Sequence, residues 1–210
     1  FDDKALDLSV DPGTGDCYVL VTSVNAMGIW SERLLVFSSA GVLTSDFNVP
    51  TTTPRGHFPV GAMSRMDDGQ LIVATTKEES KVDSMIVYSL TPPSTVNWVH
   101  KIAGAGNPAV ATYGNNILVA GWKSDGSGDA VYELLDKDGA TVVSGSYNGG
   151  GSSQYRFTHA VLTSGRMYLG GYELVTPSDT RPILLAFLLT NQQEWMYTPT
   201  GLPAGRHRIM

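Results

Sequence analysis

Three of the four histidines follow closely on an arginine: Arg55-Gly56-His57, Arg156-Phe157-Thr158-His159 and Arg206-His207. Imidazole ligates metals and exchanges a proton near neutral pH, while guanidinium grips carboxylate or phosphate through a two-pronged fork. A ring drawing on Arg55, His57, Arg156 and His159 would therefore hold a metal ion or an anion. A second chemistry is offered by Asp125-Gly126-Ser127-Gly128-Asp129 and Asp136-Lys137-Asp138-Gly139. Their carboxylates at Asp125, Asp129, Asp136 and Asp138 sit around glycine, as the oxygen ligands of Ca²⁺ often do. Neither loop completes an EF-hand, which needs more ligands and a distal Glu. Asp beside Gly is also what a tight turn between strands requires, so turn chemistry is the expected role and Ca²⁺ the alternative. No other cofactor is expected.

Signals for covalent catalysis are missing. No Gly-x-Ser-x-Gly elbow occurs, and Gly149-Gly150-Gly151 neither precedes Lys-Ser or Lys-Thr nor opens a helix. The paired carboxylates Asp2-Asp3, Asp67-Asp68 and Glu78-Glu79 fall in loop-like stretches, and neighbours on a strand would point to opposite faces. Trp30, Trp98, Trp122 and Trp195 could stack on sugars, but packing between neighbouring sheets is the expected role. The lone Cys17 allows no internal disulfide and lies in an apolar run, where a buried, inert thiol is expected.

The elements that must position these side chains are short β-type runs. Apolar stretches of four to eight residues, bounded by Gly, Pro, Asn or Asp, fill the chain, and helical periodicity is nearly absent. Residues 115–151 show the unit most clearly, with runs at 117–122, 130–135 and 141–147 separated by Gly, Asp, Ser and Lys. Similar units precede and follow it. Tyr18, Ile72, Leu118 and Tyr168 take equivalent places near the start of the second run of each unit, at intervals of about 54, 46 and 50 residues, in the range of propeller blades. The expected fold is an all-β propeller of four-stranded antiparallel blades, at about 1–50, 51–104, 105–151 and 152–200. Residues 201–210 resemble the start of a further blade. Because the first and last sheets need their edges covered, a segment of a larger propeller, or one completed by another chain, is expected over a closed ring of four.

This alignment bears on the histidines. Nine residues before Ile72 stands Met63, and nine before Tyr168 stands His159, so His57 falls six residues early and no ring of equivalent histidines forms. Structural or surface roles are expected for them.

The repeated residues resemble the bacterial β-propeller repeat family known as SBBP, in which a Gly-containing turn leads into a Tyr-Val-type strand, then an Asp-led strand, then a turn and a Trp or Ser strand ending in Gly. The likeness is carried by Asp16-Cys17-Tyr18-Val19, by 83–87 with Asn97-Trp98 and Gly104, and by 129–136 with Asp138-Gly139 and 149–151. Pro92-Pro93 and Asn191-Gln192-Gln193 depart from it. The resemblance implies a propeller in secreted or surface-exposed proteins, serving in binding or as a spacer.

Composition narrows the partners. Lys and Arg number 14 against 20 Asp and Glu, a net charge of −6 that repels nucleic acid and anionic membrane in the absence of a basic patch. No apolar run is long enough for a membrane-spanning helix. With 42% hydrophobic and 16% charged residues, the chain supports a real core and resembles extracellular β-proteins. The expectation is a non-enzymatic structural or binding module, extracellular or at the cell surface. Its partners would be a protein or another copy of itself, with glycan also in view. The alternatives are a carbohydrate-active propeller using channel carboxylates and an intracellular scaffold.

Overall fold

The computed structural model describes residues 4–24, 30–53, 60–79, 82–124, 127–149, 153–176 and 179–199. Among them sixteen strands form four antiparallel meanders of four. The first blade holds β1 (Lys4–Val10), β2 (Cys17–Val24), β3 (Trp30–Phe37) and β4 (Leu43–Thr53). The second holds β5 (Gly61–Arg65), β6 (Leu71–Glu79), β7 (Val82–Thr91) and β8 (Thr95–Ala103). The third holds β9 (Ala105–Tyr113), β10 (Asn116–Lys123), β11 (Ala130–Asp136) and β12 (Thr141–Tyr147). The fourth holds β13 (Gln154–Leu162), β14 (Arg166–Thr176), β15 (Asp179–Leu188) and β16 (Gln193–Tyr197).

The sheets are arranged about an axis. Inner strand β5 touches β1 and β9, and β9 touches β13. The four sheets thus follow one another as blades of a β-propeller, each lending its first strand to a common cavity.

Side-chain alternation explains the stacking. Because successive residues of a strand point to opposite faces, each blade has a forward face toward the next blade and a rear face toward the previous one. Tyr18 and Leu20 point forward and meet Leu71 and Val73 of the second blade. Ile72 and Ala74 point forward onto Ile117 and Val119 of the third. Leu118 and Ala120 point forward onto Met167 and Leu169 of the fourth. Three apolar clusters therefore hold four blades together. Strands of the middle blades are buried on both faces and carry unbroken apolar runs, such as Met85-Ile86-Val87-Tyr88 and Ile117-Leu118-Val119-Ala120.

The inner strands run longer than their apolar cores suggest. β9 opens with Ala105-Gly106-Asn107-Pro108 and β13 with Gln154, residue types poor in strand propensity. They remain in the sheet through bulges: pairing skips Leu6 in β1, Asn107 and Pro108 in β9, and Thr158 in β13. A bulge bends the strand and re-aims its side chains, which brings these segments to the axis.

Candidate functional site

The inner strands line a half-open axial cavity of about 440 Å³, within the range of small-ligand sites. Its wall is mostly Leu, Val, Ala, Gly and Pro, and the bulged residues Leu6, Pro108 and Thr158 all reach it. Glycine lets the backbone close in around this wall. A Cβ on Gly171 would lie 1.9 Å from the carbonyl oxygen of Arg156 at the β13 bulge, and one on Gly121 would lie 2.5 Å from that of Gly106.

Asp7, Thr158 and His159 bring polar side chains to the cavity. The carboxylate of Asp7 accepts N–H bonds from Met63 at 2.7 Å and from Leu8 at 2.8 Å, so it ties β1 to β5. The Nδ1 of His159 is 2.9 Å from Thr158 Oγ1, and the ring is exposed.

Arg55 and His57 lie outside the described residues. Arg156 is held over the ring of Trp122, its guanidinium carbon 4.1 Å from the centroid, a cation–π contact across the third and fourth blades. Arg156 is thus engaged by an aromatic face while His159 lines the cavity.

Asp125 also lies outside the described residues. Asp129 pairs with Lys123 at 3.0 Å. Asp136 accepts the N–H groups of Asp138 and Ala140, each at 2.9 Å, and Asp138 pairs with Lys137 at 2.9 Å. Asp129 and Asp136 stand at opposite ends of β11, on the order of 20 Å apart at strand spacing, too far to share one ion. Among the described residues no group of three His, Cys, Asp or Glu side chains is placed to hold a metal.

Blade joints carry side chains whose roles are not visible in the order of residues. His100 of β8 meets Glu133 of β11 at 2.9 Å, and Thr141 donates to the same carboxylate oxygen at 3.1 Å. Arg65 bridges to Asp11 at 2.8 Å, while its carbonyl accepts from Thr112, so the ends of three inner strands are tied in series. Asp11 Oδ1 also accepts from Gly13, and that bond, with the neighbouring Arg65, holds the carboxyl below the usual carboxylate range. Burial pushes the Tyr88 and Tyr132 phenols up to about 12. Tyr88 donates to the Pro50 carbonyl at 3.1 Å, and Tyr132 donates to Asn191 in the fourth blade.

In the third and fourth blades the turn between the two outer strands reaches back onto the preceding blade. In the third blade that turn is 136–140, with Gly139 at φ +83°. The Trp98 indole N–H donates to the Lys137 carbonyl at 2.8 Å, and a Cβ on Gly139 would lie 2.8 Å from the Trp98 ring.

Two faces lack such a neighbour among the described residues. On the rear of the first blade Leu8 pairs with Val19, which pairs with Leu35, and Val10 pairs with Cys17, whose row continues to Phe37 and Leu43. Leu8 is 60% exposed and Val10 53%. Cys17, expected to be buried, is half-buried, because it points to this rear face and away from the cluster that holds Tyr18. On the forward face of the fourth blade Val161 pairs with Tyr168, whose row continues to Ala186 and Trp195, and Leu184 pairs with Tyr197. Trp195 and Tyr197 are exposed. A signal for the second of these faces is present in the sequence: Tyr168 shares its repeat position with Tyr18, Ile72 and Leu118, which point forward into a cluster.

No known family matches the chain, and no curated protein does. Similar solved structures include an apocarotenoid oxygenase from Synechocystis, with TM-score 0.49 and 10% identity over 95% of this chain and 50% of that one. The WD40 domain of SCAP from fission yeast gives 0.40 and 8% over 92% and 51%. An alpha-L-arabinanase from Cellvibrio cellulosa, complexed with arabinohexaose, gives 0.37 and 13% over 90% and 76%. The chain spans about half the length of the first two.

Proposed function

We propose that this propeller is a non-catalytic binding module of a secreted or surface assembly, and that it meets protein partners through the outward faces of its first and fourth blades. The observation that carries this reading is the apolar character of those faces: Leu8, Val10 and Leu43 on the first blade and Val161, Trp195 and Tyr197 on the fourth are exposed, beside the half-buried Val19, Leu35 and Tyr168. Contiguous exposed apolar surface on a folded domain marks an interaction site. A protein surface is the fitting partner, because both faces are sheet faces of the kind that three internal joints already bury. The resemblance to SBBP repeats supports the secreted or surface setting, as does the low share of charged residues.

A photo-crosslinking residue placed at Leu8 or Tyr197, with a control at the exposed Thr14 in the β1–β2 turn, tests the reading in cells that make the protein. Protein adducts from Leu8 or Tyr197 but not from Thr14 are the expected result. Equal yields from all three positions would remove it.

A further inference from the structure

We infer that the partner on both faces is a second copy of this chain, and that two copies close a ring of eight blades in which Trp195 of each seats on the Ser39–Gly41 turn of the other. This rests on the proposed binding role of the end faces and names the occupant.

The argument is one of register. In all four blades the outer strand carries a bulge at the same place, opposite Val36–Phe37, Ser89–Leu90, Leu134–Leu135 and Ala186–Phe187. The outer strands therefore align residue by residue. The residues paired with Val36, Ser89, Leu134 and Ala186 are Ser45, Trp98, Val143 and Trp195. Tryptophan occupies this place in the second and fourth blades only. Counting from the same bulge, the fourth residue of the outer turn is Gly41, Ser94, Gly139 and Asn191. Glycine occupies that place in the first and third blades only.

One of these two Trp–Gly combinations is made inside the chain, where Trp98 lies on Gly139 and donates to the Lys137 carbonyl. The other is left open. Trp195 is 42% exposed, and a Cβ on Gly41 would meet nothing within 4 Å. The turn at 38–42 repeats the turn at 136–140 bond for bond: Ser38 N–H donates to Val42 O and Gly41 N–H to Ser38 O, as Asp136 does to Ala140 and Gly139 to Asp136. Gly41 stands at φ +76° beside the +83° of Gly139. The carbonyl equivalent to that of Lys137 is then that of Ser39. The receiving half and the inserting half are thus both present on one chain, on faces that no apolar cluster joins among the described residues. Forward-to-rear contact repeated around an axis must close on itself to stay finite. Propellers hold about four to eight blades, and two sets of the four described blades make eight.

The test is light scattering after size exclusion, over a dilution series from sub-millimolar to nanomolar protein, on the full chain and on two variants. Trp195→Ala removes the inserting ring. Gly41→Asn fills the receiving place while keeping the turn, since Asn191 already holds the equivalent left-handed backbone at φ 70°. The expected mass of the parent is twice 22.5 kDa. Each variant is expected to weaken the dimer by about thirty-fold or more, the loss seen when a central interface tryptophan is removed. An equimolar mixture of the two variants is expected to dimerise more tightly than either alone, because one Trp–Gly contact is intact in the mixed pair. Alkylation of Cys17 is expected to slow in the dimer and recover in both variants. A monomer at every concentration, a dimer indifferent to both substitutions, or an open-ended series of larger species would each overturn the inference. A monomer that still gives protein adducts from Leu8 and Tyr197 overturns this inference alone and leaves the binding-module reading standing.

Discussion

The second and first blades carry nearly the same apolar load yet bury it differently. In β6 and β7 consecutive residues from Leu71 to Ala74 and from Met85 to Tyr88 are all buried, because the blade is covered on both faces. In β2 the run Cys17-Tyr18-Val19-Leu20-Val21 is equally apolar, but only Tyr18 and Leu20 are buried. β3 repeats this: Leu34 and Val36 are covered while Leu35 and Phe37 are half-buried. A sheet meant to keep one face in water alternates apolar with polar residues. The first blade does not, so its sequence is suited to cover on two sides while its fold supplies cover on one.

The sharpest way to break this comparison is to excise a side chain from a covered joint and from an open face. Phe157 is fully buried between the third and fourth blades, and Phe157→Ala is expected to cost about 3–5 kcal/mol in urea unfolding, from lost burial and the cavity left behind. Leu8→Ala, on the open face, is expected to stay within about 0.5 kcal/mol in dilute solution. Comparable losses at the two positions would show that the rear of the first blade is already covered. Trp98→Ala sits between them. It removes a half-buried ring and its bond to the Lys137 carbonyl, for an expected loss of about 2 kcal/mol, while Trp195→Ala leaves dilute stability unchanged.

The four-blade repeat was legible in the chain because strand runs and turns recur with a fixed anchor, from Tyr18 to Tyr168. What was not legible follows from how a propeller is built. Its blade joints pair residues far apart in sequence, such as His100 with Glu133 or Asp11 with Arg65, and no local pattern marks such a pair. The inner strands are hard to read from sequence at Gly106-Asn107-Pro108 and before Thr158, since bulges use residues that ordinary strands avoid. Of the candidate anion ring, His159 lines the axial cavity although the repeat count argues against a ring of equivalent histidines, and Arg156 lies over the ring of Trp122. The Asp136-Lys137-Asp138-Gly139 loop shows why composition alone cannot separate a Ca²⁺ loop from a turn. Its Asp136 carboxylate is spent on two of its own N–H groups.

A milder probe of the joints is alkali. Tyr88 and Tyr132 are held neutral in the fold, with pKa raised from 10.0 to about 12 by burial. A raised folded-state pKa stabilises fully below the unfolded value and loses that contribution as pH rises through the folded one. The expected result is a melting temperature that falls from about pH 10 toward 12, with phenolate absorbance from these tyrosines appearing together with loss of β-sheet signal. Tyr88→Phe should reduce the slope. Phenolate absorbance completing near pH 10 while the sheets persist would show that these rings reach water in the folded state.

The smallest expected effect lies at the tie between the first two blades. Asp11 has its pKa lowered, first by the Gly13 N–H and further by Arg65, so the ionised carboxylate is favoured in the fold. A lowered folded-state value gives a contribution present above the unfolded pKa, near 3.8, and lost as pH falls through the folded one. Asp11→Asn keeps an oxygen able to accept the Gly13 N–H but removes the charge facing Arg65. Its melting temperature is expected to fall slightly below the parent's at pH 7 and to converge with it as the pH falls well below 3.8. The tie is partly exposed, so high salt should narrow the gap at pH 7 as well. A gap between parent and variant that persists unchanged into acid would mean that Asp11 acts through turn geometry alone, and that the joint between these blades draws nothing from its ion pair.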